Sequence, residues 1–362
     1  MALMTGTHKT MKFLTLLVAT LVIPCNFTCN RSEPEPPLSS SGPADGPHLR
    51  FAQLSIPESV LTHVAETEGY YTQAGLDYEV ISTVDEVDVV AALRSKTRNA
   101  AVAGGLPIIP IARMITSGDA PVVIATVVTS RAPAALVTFE STGITQDPNT
   151  LRGRRIGVSH DTVCDLYLSR LLDRAALNET DVAVVTGGPV DLQRFLVRGD
   201  VDAAVLRDPY ANQVERYYYP RYRLKGKVPN RGASQRSEDY TLCTLAFNIV
   251  TTRAKLAANR PALVSMLKAL IRAEEQIRTH RSETQNELAQ WLDVWPRDLG
   301  RLLDSEVSQV RVELYPAQIR ELLREEFARL KKRDPKTVVP DDVDPFVDAS
   351  LLSEVEVWRV NR

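Results

Sequence analysis

The chain is predicted to be an α/β protein of two lobes, and three observations carry that prediction. Segments that read as strands alternate with segments that read as amphipathic helices, most plainly from Leu151 to Tyr210. The run Pro121-Val-Val-Ile-Ala-Thr-Val-Val128 is continuous and β-branched, as in a strand buried on both faces. From His48 to Arg362 the chain has the length for two lobes, since a single core usually stops growing near ~250–300 residues.

The first residues stand apart from this pattern. Lys9 and Lys12 precede the apolar run Phe13-Leu-Thr-Leu-Leu-Val-Ala-Thr-Leu-Val-Ile23, which has the length of a secretory leader. It stops at Pro24, short of the ~20 apolar residues a bilayer-spanning helix needs. Residues 1–29 are therefore expected to be a signal peptide or lipoprotein leader. Residues 30–47, rich in Pro, Ser and Gly, are expected to be a flexible linker that buries no core. Cys25 and Cys29 close the leader. Lipidation of one of them is one reading, a lipid anchor following from it; simple cleavage and release is the other.

Leu49-Arg-Phe-Ala-Gln-Leu54 reads as the first strand. Ser55-Ile-Pro-Glu58 then reads as a helix start, with Ser55 as cap, Glu58 three positions on and Pro57 in the first turn. Val60, Leu61, Val64 and Ala65 give that helix its apolar face, and Gly69 ends it. Tyr78 to Ser82 is the second strand, a helix follows around Val87 to Lys96, and Ala100 to Ala103 is a short strand before a turn at Gly104-Gly105. Asp85, Glu86 and Asp88 read as a solvated helix start. Ala134 to Phe139 is predicted to cross into a second lobe. That lobe holds the strand Arg155–Val158, a helix from Ser159, the strand Val182–Thr186, a short helix from Asp191 to Gly199 and the strand Val201–Leu206. Leu245 to Val250 is the return crossing. Two amphipathic helices follow: Pro261 to Ile277, with Leu263, Met266, Leu267 and Leu270 on one face, and a later one with Ile319, Leu323, Phe327 and Leu330. The expected organisation is thus a discontinuous first lobe, 48–130 and 245–362, and a second lobe, 131–244.

A net charge of −2 with 24% charged residues of both signs offers no basic stripe for nucleic acid. Cys164 and Cys243 fall on segments with no local reason to meet, which favours two buried thiols over a disulfide. Catalysis is poorly supported. Ser159, His160 and Asp161 are consecutive, so their side chains diverge and cannot align as nucleophile, base and orienter. The five histidines are scattered without metal-site spacing, so no metal and no cofactor is expected. Binding has more support. Ser159, Asp161 and Thr162 place polar groups at a helix start, whose free N–H groups and dipole attract an anionic group. One of them is expected to be only a cap, and Asp161 has to point away from an anionic ligand. Arg207, if it faces the cleft, favours a carboxylate, sulfonate or phosphate through its planar fork; if it faces water it has no such role. The cluster Tyr217-Tyr-Tyr-Pro-Arg-Tyr222 reads as a loop on the lobe edge.

The ordered series from Gly69 through Gly-Leu-Asp77, Leu151-Arg-Gly-Arg-Arg-Ile-Gly-Val158, Ser159-His-Asp-Thr162 and Val201 to Tyr210 resembles the NMT1/THI5-like family of periplasmic solute-binding proteins. The family includes relatives of proteins that bind sulfonates, taurine, nitrate and thiamine precursors. The resemblance runs from about Leu49 to Leu352. It implies the type II periplasmic binding-protein fold, with two α/β lobes joined by two crossing segments and a ligand cleft between them. It further implies an extracytoplasmic, monomeric receptor, periplasmic or membrane-anchored, rather than a catalyst. Such a receptor takes a small polar or planar organic molecule or anion and delivers it to an ABC permease in the inner membrane. On the first lobe the positions matching the family's cleft are Ser55, Ile56, Gly104, Gly105 and Leu106, with Ser130 at the hinge. On the second lobe they are Ser159, Thr162, Asp208 and Tyr210, although His160 and Asp161 depart from the usual small residues and Arg207 replaces a usual Trp. An enzyme resembling the thiamine-pyrimidine synthases, which needs a His-rich cleft, and a ligand sensor for a signalling partner are the alternatives.

Overall fold

The computed structural model describes residues 48–97, 100–131, 134–145, 147–218, 243–299, 303 and 308–360. The leader, the linker, Cys25, Cys29 and Tyr219 to Tyr222 lie outside the described residues.

The first lobe is organised on β1 (His48–Leu54), β2 (Asp77–Thr83), β3 (Ala103–Pro107) and β4 (Pro121–Ser130). The helices between them are α1 (Val60–Thr67), α2 (Tyr70–Gln73), α3 (Glu86–Arg94) and α4 (Ile108–Thr116). β1 lies parallel to both β2 and β3. Gly69, at φ 67, turns the chain between α1 and α2 in a conformation that glycine adopts without steric penalty. β4 is buried over almost its whole length, as its β-branched composition predicted.

β5 (Ala135–Thr138) opens the second lobe and is followed by β6 (Arg155–Val158), α5 (Val163–Arg174), β7 (Ala183–Thr186), α6 (Pro189–Arg198), β8 (Ala203–Leu206) and α7 (Tyr210–Tyr218). These four strands form their own sheet in the order β5-β8-β6-β7, with β6 parallel to β7 and β8 and with β5 antiparallel to β8. Cys164 and Cys243 are both buried and both free thiols.

β9 (Leu245–Thr252) returns to the first sheet and inserts between β3 and β4, antiparallel to both. The remaining elements are α8 (Arg253–Ala258), α9 (Arg260–Thr279), α10 (Arg281–Trp291), α11 (Pro296–Leu299), β10 (Ser308–Glu313), α12 (Pro316–Arg333) and α13 (Ser350–Val355). β10 completes a six-stranded sheet in the order β10-β4-β9-β3-β1-β2. The molecule is thus a type II periplasmic binding-protein fold of two α/β lobes joined by two crossing segments. Ser130, where the chain leaves the first sheet, is the register partner of Leu245, where it returns. The two crossings therefore start from one rung of one ladder. Ser308 on β10 ties that rung down by donating to the Ser130 hydroxyl at 3.1 Å.

Three local readings of the sequence are corrected. Gly104 and Gly105 lie inside β3 rather than in a turn. A Cβ at Gly104 would come within 2.8 Å of Val89 Cγ1, and one at Gly105 within 2.8 Å of the Phe247 ring, so the glycines admit α3 and β9 against the strand. Ser55 does not cap a helix: a 3-10 turn at Pro57–Ser59 precedes α1, Ile56 is its N-cap position, and no side chain caps it. Glu86 is not solvated. It is 7% exposed, while its neighbour Asp85 serves as the cap of α3 by accepting from Val87 N.

Candidate functional site

Both sheets end their parallel strands at the gap between the lobes, the edge at which open α/β sheets bind ligands. From the first lobe come Leu54 at the end of β1, Ile56 just beyond it, and Val84 to Glu86 after β2. From the second come Ser159 and Thr162 after β6, Pro189 after β7, and Arg207 and Tyr210 after β8. Together they enclose a cavity of about 30 Å³, room for roughly one water molecule.

Arg207 closes this gap. Its Nη1 donates to Glu86 Oε1 at 2.8 Å, and its Nη2 lies 3.2 Å from Glu58 Oε1. All three side chains are more than nine-tenths buried. Burial pushes the Glu86 carboxyl up to about 7, against the pull of Arg207 and with added repulsion from Asp85 and Glu58. Burial also works against the Arg207 charge, but Glu58 and Glu86 outweigh it and hold the guanidinium above its ordinary range. One oxygen of each glutamate, Oε2, and the Arg207 Nε and Nη2 have no hydrogen-bond partner among the described residues. Arg207 thus faces the cleft with a carboxylate on each side of its fork, one of them hydrogen-bonded to Nη1.

The hydroxyls at the start of α5 are engaged locally. Ser159 Oγ donates to Gly187 O at 2.9 Å. Thr162 Oγ1 donates to Ser159 O and accepts from Cys164 N, which makes Thr162 the helix cap. Asp161 takes φ 59, a left-handed conformation that Asp tolerates better than most residues. It turns toward the first lobe and pairs with Arg113 of α4. Asp165 pairs with Arg333 at 2.6 Å and with Arg329 at 3.6 Å, both from α12. This makes a second ionic seam between the lobes, beside the cavity. The ligand atoms of His160, Asp161 and Asp165 lie within 4.8 Å of one another. Three guanidinium groups around two carboxylates make that cluster an ion-pair network ill suited to a metal cation.

Of the residues singled out from sequence, the structure brings Ile56, Ser159, Thr162 and Tyr210 to the cavity wall. Ser55 and Asp208 flank it in sequence, and the Asp208 carboxylate has one buried oxygen, Oδ1, without a partner among the described residues. Gly104, Gly105 and Leu106 remain inside β3, and Ser130 remains at the crossing rung. Sequence reasoning missed Glu86 as a cleft residue and Glu58 as the second partner of Arg207. The signal that could have raised them is an arginine placed after a buried strand, where a buried cation requires carboxylates from elsewhere in the chain. Cys164 also lines the cavity. Burial pushes its thiol up to about 12, so it is protonated at neutral pH.

The overall fold is shared with solved proteins of low sequence identity. The alkanesulfonate-binding protein SsuA from Xanthomonas axonopodis pv. citri, bound to MOPS, is similar with a TM-score of 0.68 and 17% identity, over 86% of this chain and 100% of that one. The periplasmic nitrate-binding protein NrtA from Synechocystis PCC 6803 gives a TM-score of 0.66 and 11% identity, over 87% and 89% of the two chains. The desulfurization enzyme DSZB gives 0.59 and 16%, over 85% and 98%. No curated protein matches the sequence. The model of the family described as NMT1/THI5 like matches residues 57–284, more than half of the chain. The chain belongs to the NMT1/THI5-like family.

Proposed function

We propose that this chain is an extracytoplasmic solute-binding protein of an ABC-type importer, closing its two lobes around a small molecule for delivery to a membrane permease. The observation that carries this reading is the cavity itself. Its walls come from both lobes, at the carboxyl ends of their strands, and among the described residues the chain passes between the lobes at two crossings that start from one rung. Such a geometry exposes the site when the lobes part and buries it when they meet, which is how hinge closure captures a ligand. Specificity on this reading comes from Ser159 to Thr162 and Arg207 to Tyr210 on the second lobe, facing Ile56 and Glu86 on the first. The leader, with Cys25 and Cys29, supports export and either a lipid anchor or release. No helix among the described residues is long and apolar enough to cross a membrane.

DSZB favours a second reading, since an enzyme shares this fold. The chemistry of the cavity argues against it. A nucleophilic cysteine needs an accessible thiolate, whereas Cys164 is 4% exposed and its thiol is pushed up to about 12. Ser159 donates to a backbone carbonyl, and His160 accepts from Arg333 rather than from Ser159. The test is to denature protein purified without refolding, identify the released small molecule by mass, and titrate it back by calorimetry. One site per chain and unchanged solute after prolonged incubation are expected. Turnover of the solute would establish the enzyme instead.

A further inference from the structure

The charges in the cleft do not suit the anions that an arginine after β8 suggests. Two glutamates from the first lobe, Glu58 at 6% exposure and Glu86 at 7%, share one guanidinium from the second. Of the carboxylates, Glu86 and Asp85 line the cavity itself while Glu58 touches Arg207 beside it, and among the described residues the wall includes no lysine and no second arginine. The buried triad therefore carries one more negative charge than positive. An uncompensated charge away from water is strongly disfavoured. Its effect shows at Glu86, where burial outweighs the pull of Arg207 on the carboxyl. One oxygen of each glutamate is buried without a hydrogen-bond partner among the described residues.

We infer that the cleft takes a small organic cation, through an ammonium or amidinium group held by Glu58 and Glu86, with Arg207 as the counter-charge that the second lobe brings against them on closure. This rests on the solute-binding reading and names its ligand class. A ligand with one positive charge brings two carboxylates and two cations to neutrality, and its N–H groups supply donors for the two unpartnered oxygens. On closure an anion meets a guanidinium flanked by two carboxylates, with only its Nε and Nη2 free of hydrogen-bond partners among the described residues, and adds a further negative charge beside Glu58, Glu86 and Asp85. A bare metal ion is disfavoured by the guanidinium in contact with both carboxylates. Val84, Pro189 and Leu206 give the wall an apolar side that suits a carbon skeleton. With room for about one water, the site admits such a ligand only when the lobes separate, which also draws Arg207 away from the two glutamates.

The test is calorimetry on the purified protein with matched probes: agmatine, propylamine and benzamidine against propanesulfonate and benzoate, with calcium as a metal control. At least one organic cation is expected to bind. Glu58→Gln and Glu86→Gln, which keep the side-chain shape, should each weaken it by roughly tenfold to a hundredfold. Arg207→Gln should bind the cation at least as tightly as the parent, because a competing internal cation is gone; an anion site would lose its ligand in the same variant. Should Arg207→Gln fail to fold, the two glutamine variants decide alone. Binding of only the anions, of only calcium, or of no cation overturns the inference, as does cation binding indifferent to both glutamine variants. The solute-binding reading is judged separately by the molecule released from the purified protein, and anion-only binding would leave it intact.

Discussion

Arg207 Nη1 on the second lobe donates to Glu86 Oε1 on the first at 2.8 Å, across the gap the fold leaves for a ligand. The pair is buried, so it acts on the lobes as a lock whose strength depends on its surroundings rather than on salt. Removing one partner of such a pair costs about 3–5 kcal/mol, because the other is left charged in the interior. Arg207→Ala is therefore expected to lower the thermal transition of the solute-free protein clearly, and Arg207→Ala with Glu58→Ala less than the two separate effects combined. Equal, additive losses by calorimetry would show that the residues do not interact.

The same pair gives the protein a pH dependence with a definite sign. Glu86 is raised from an ordinary 4.5 to about 7. The groups that face it are Arg207, Glu58 and Asp85, and the Cys164 thiol stays protonated through this range. A carboxyl raised on folding holds its proton in the native state while the unfolded chain has lost it. Its contribution is therefore fully present below pH 4.5 and is lost as pH rises to about 7, by up to ~3 kcal/mol. Unfolding curves of the parent and Glu86→Gln should diverge through that window and run parallel above it. A constant difference from pH 4 to 8 would place the Glu86 pKa in its ordinary range.

Asp165 and Arg333 are the corresponding lock on the outer seam. Asp165 is 6% exposed in its side chain and also touches Arg329. Arg333→Met should shift the solute-free protein toward the open form by ~1.5–3 kcal/mol, the worth of a hydrogen bond to a charged group. Fluorescence transfer between labels on the two lobes would report it. No change in transfer would mean that Arg329 alone holds Asp165.

Thr162 is predicted to matter more for stability than for affinity. Its hydroxyl caps α5, so Thr162→Ala should destabilise the protein by about 1 kcal/mol. Thr162→Ser should restore most of that. A binding role beyond the cap would show as weaker calorimetric affinity in Thr162→Ala that Thr162→Ser rescues.

Gly104→Ala tests the packing account of β3. The added methyl would meet Val89 Cγ1 at 2.8 Å and the Ala52 carbonyl oxygen at 3.1 Å. Overpacking of this kind costs ~1–3 kcal/mol. The folded variant should still bind solute like the parent. Lost affinity with an unchanged thermal transition would return Gly104 to the cleft.

Much of the fold was legible because its signals are local. The β-branched run at Pro121–Val128, the apolar face of α9 and the alternation from Arg155 to Leu206 each announce themselves within one element. Boundaries slipped where packing decides: β3 begins at Ala103 rather than Ala100, since the missing Cβ atoms of Gly104 and Gly105 suit close approach as well as a turn. β10 was not read at all. Its pairing with β4 brings together residues about 180 positions apart, with nothing in Ser308–Glu313 itself to announce a strand. The cleft was legible in outline, through the loops after β6 and β8. Its charge was not. Glu58 and Glu86 sit at helix starts, where a carboxylate is ordinary, and only Arg207, 121 positions beyond Glu86, makes them interior.

The central claim is that the two lobes close on a solute about the Ser130 and Leu245 rung. Small-angle scattering of the purified protein, with and without the small molecule released from it and identified by mass, tests this most directly. The account predicts a smaller radius of gyration at saturation, and no such change when the same solute is added to Glu58→Gln with Glu86→Gln. Superimposable profiles with and without solute, at concentrations where calorimetry shows the site filled and with the free protein open, would contradict it.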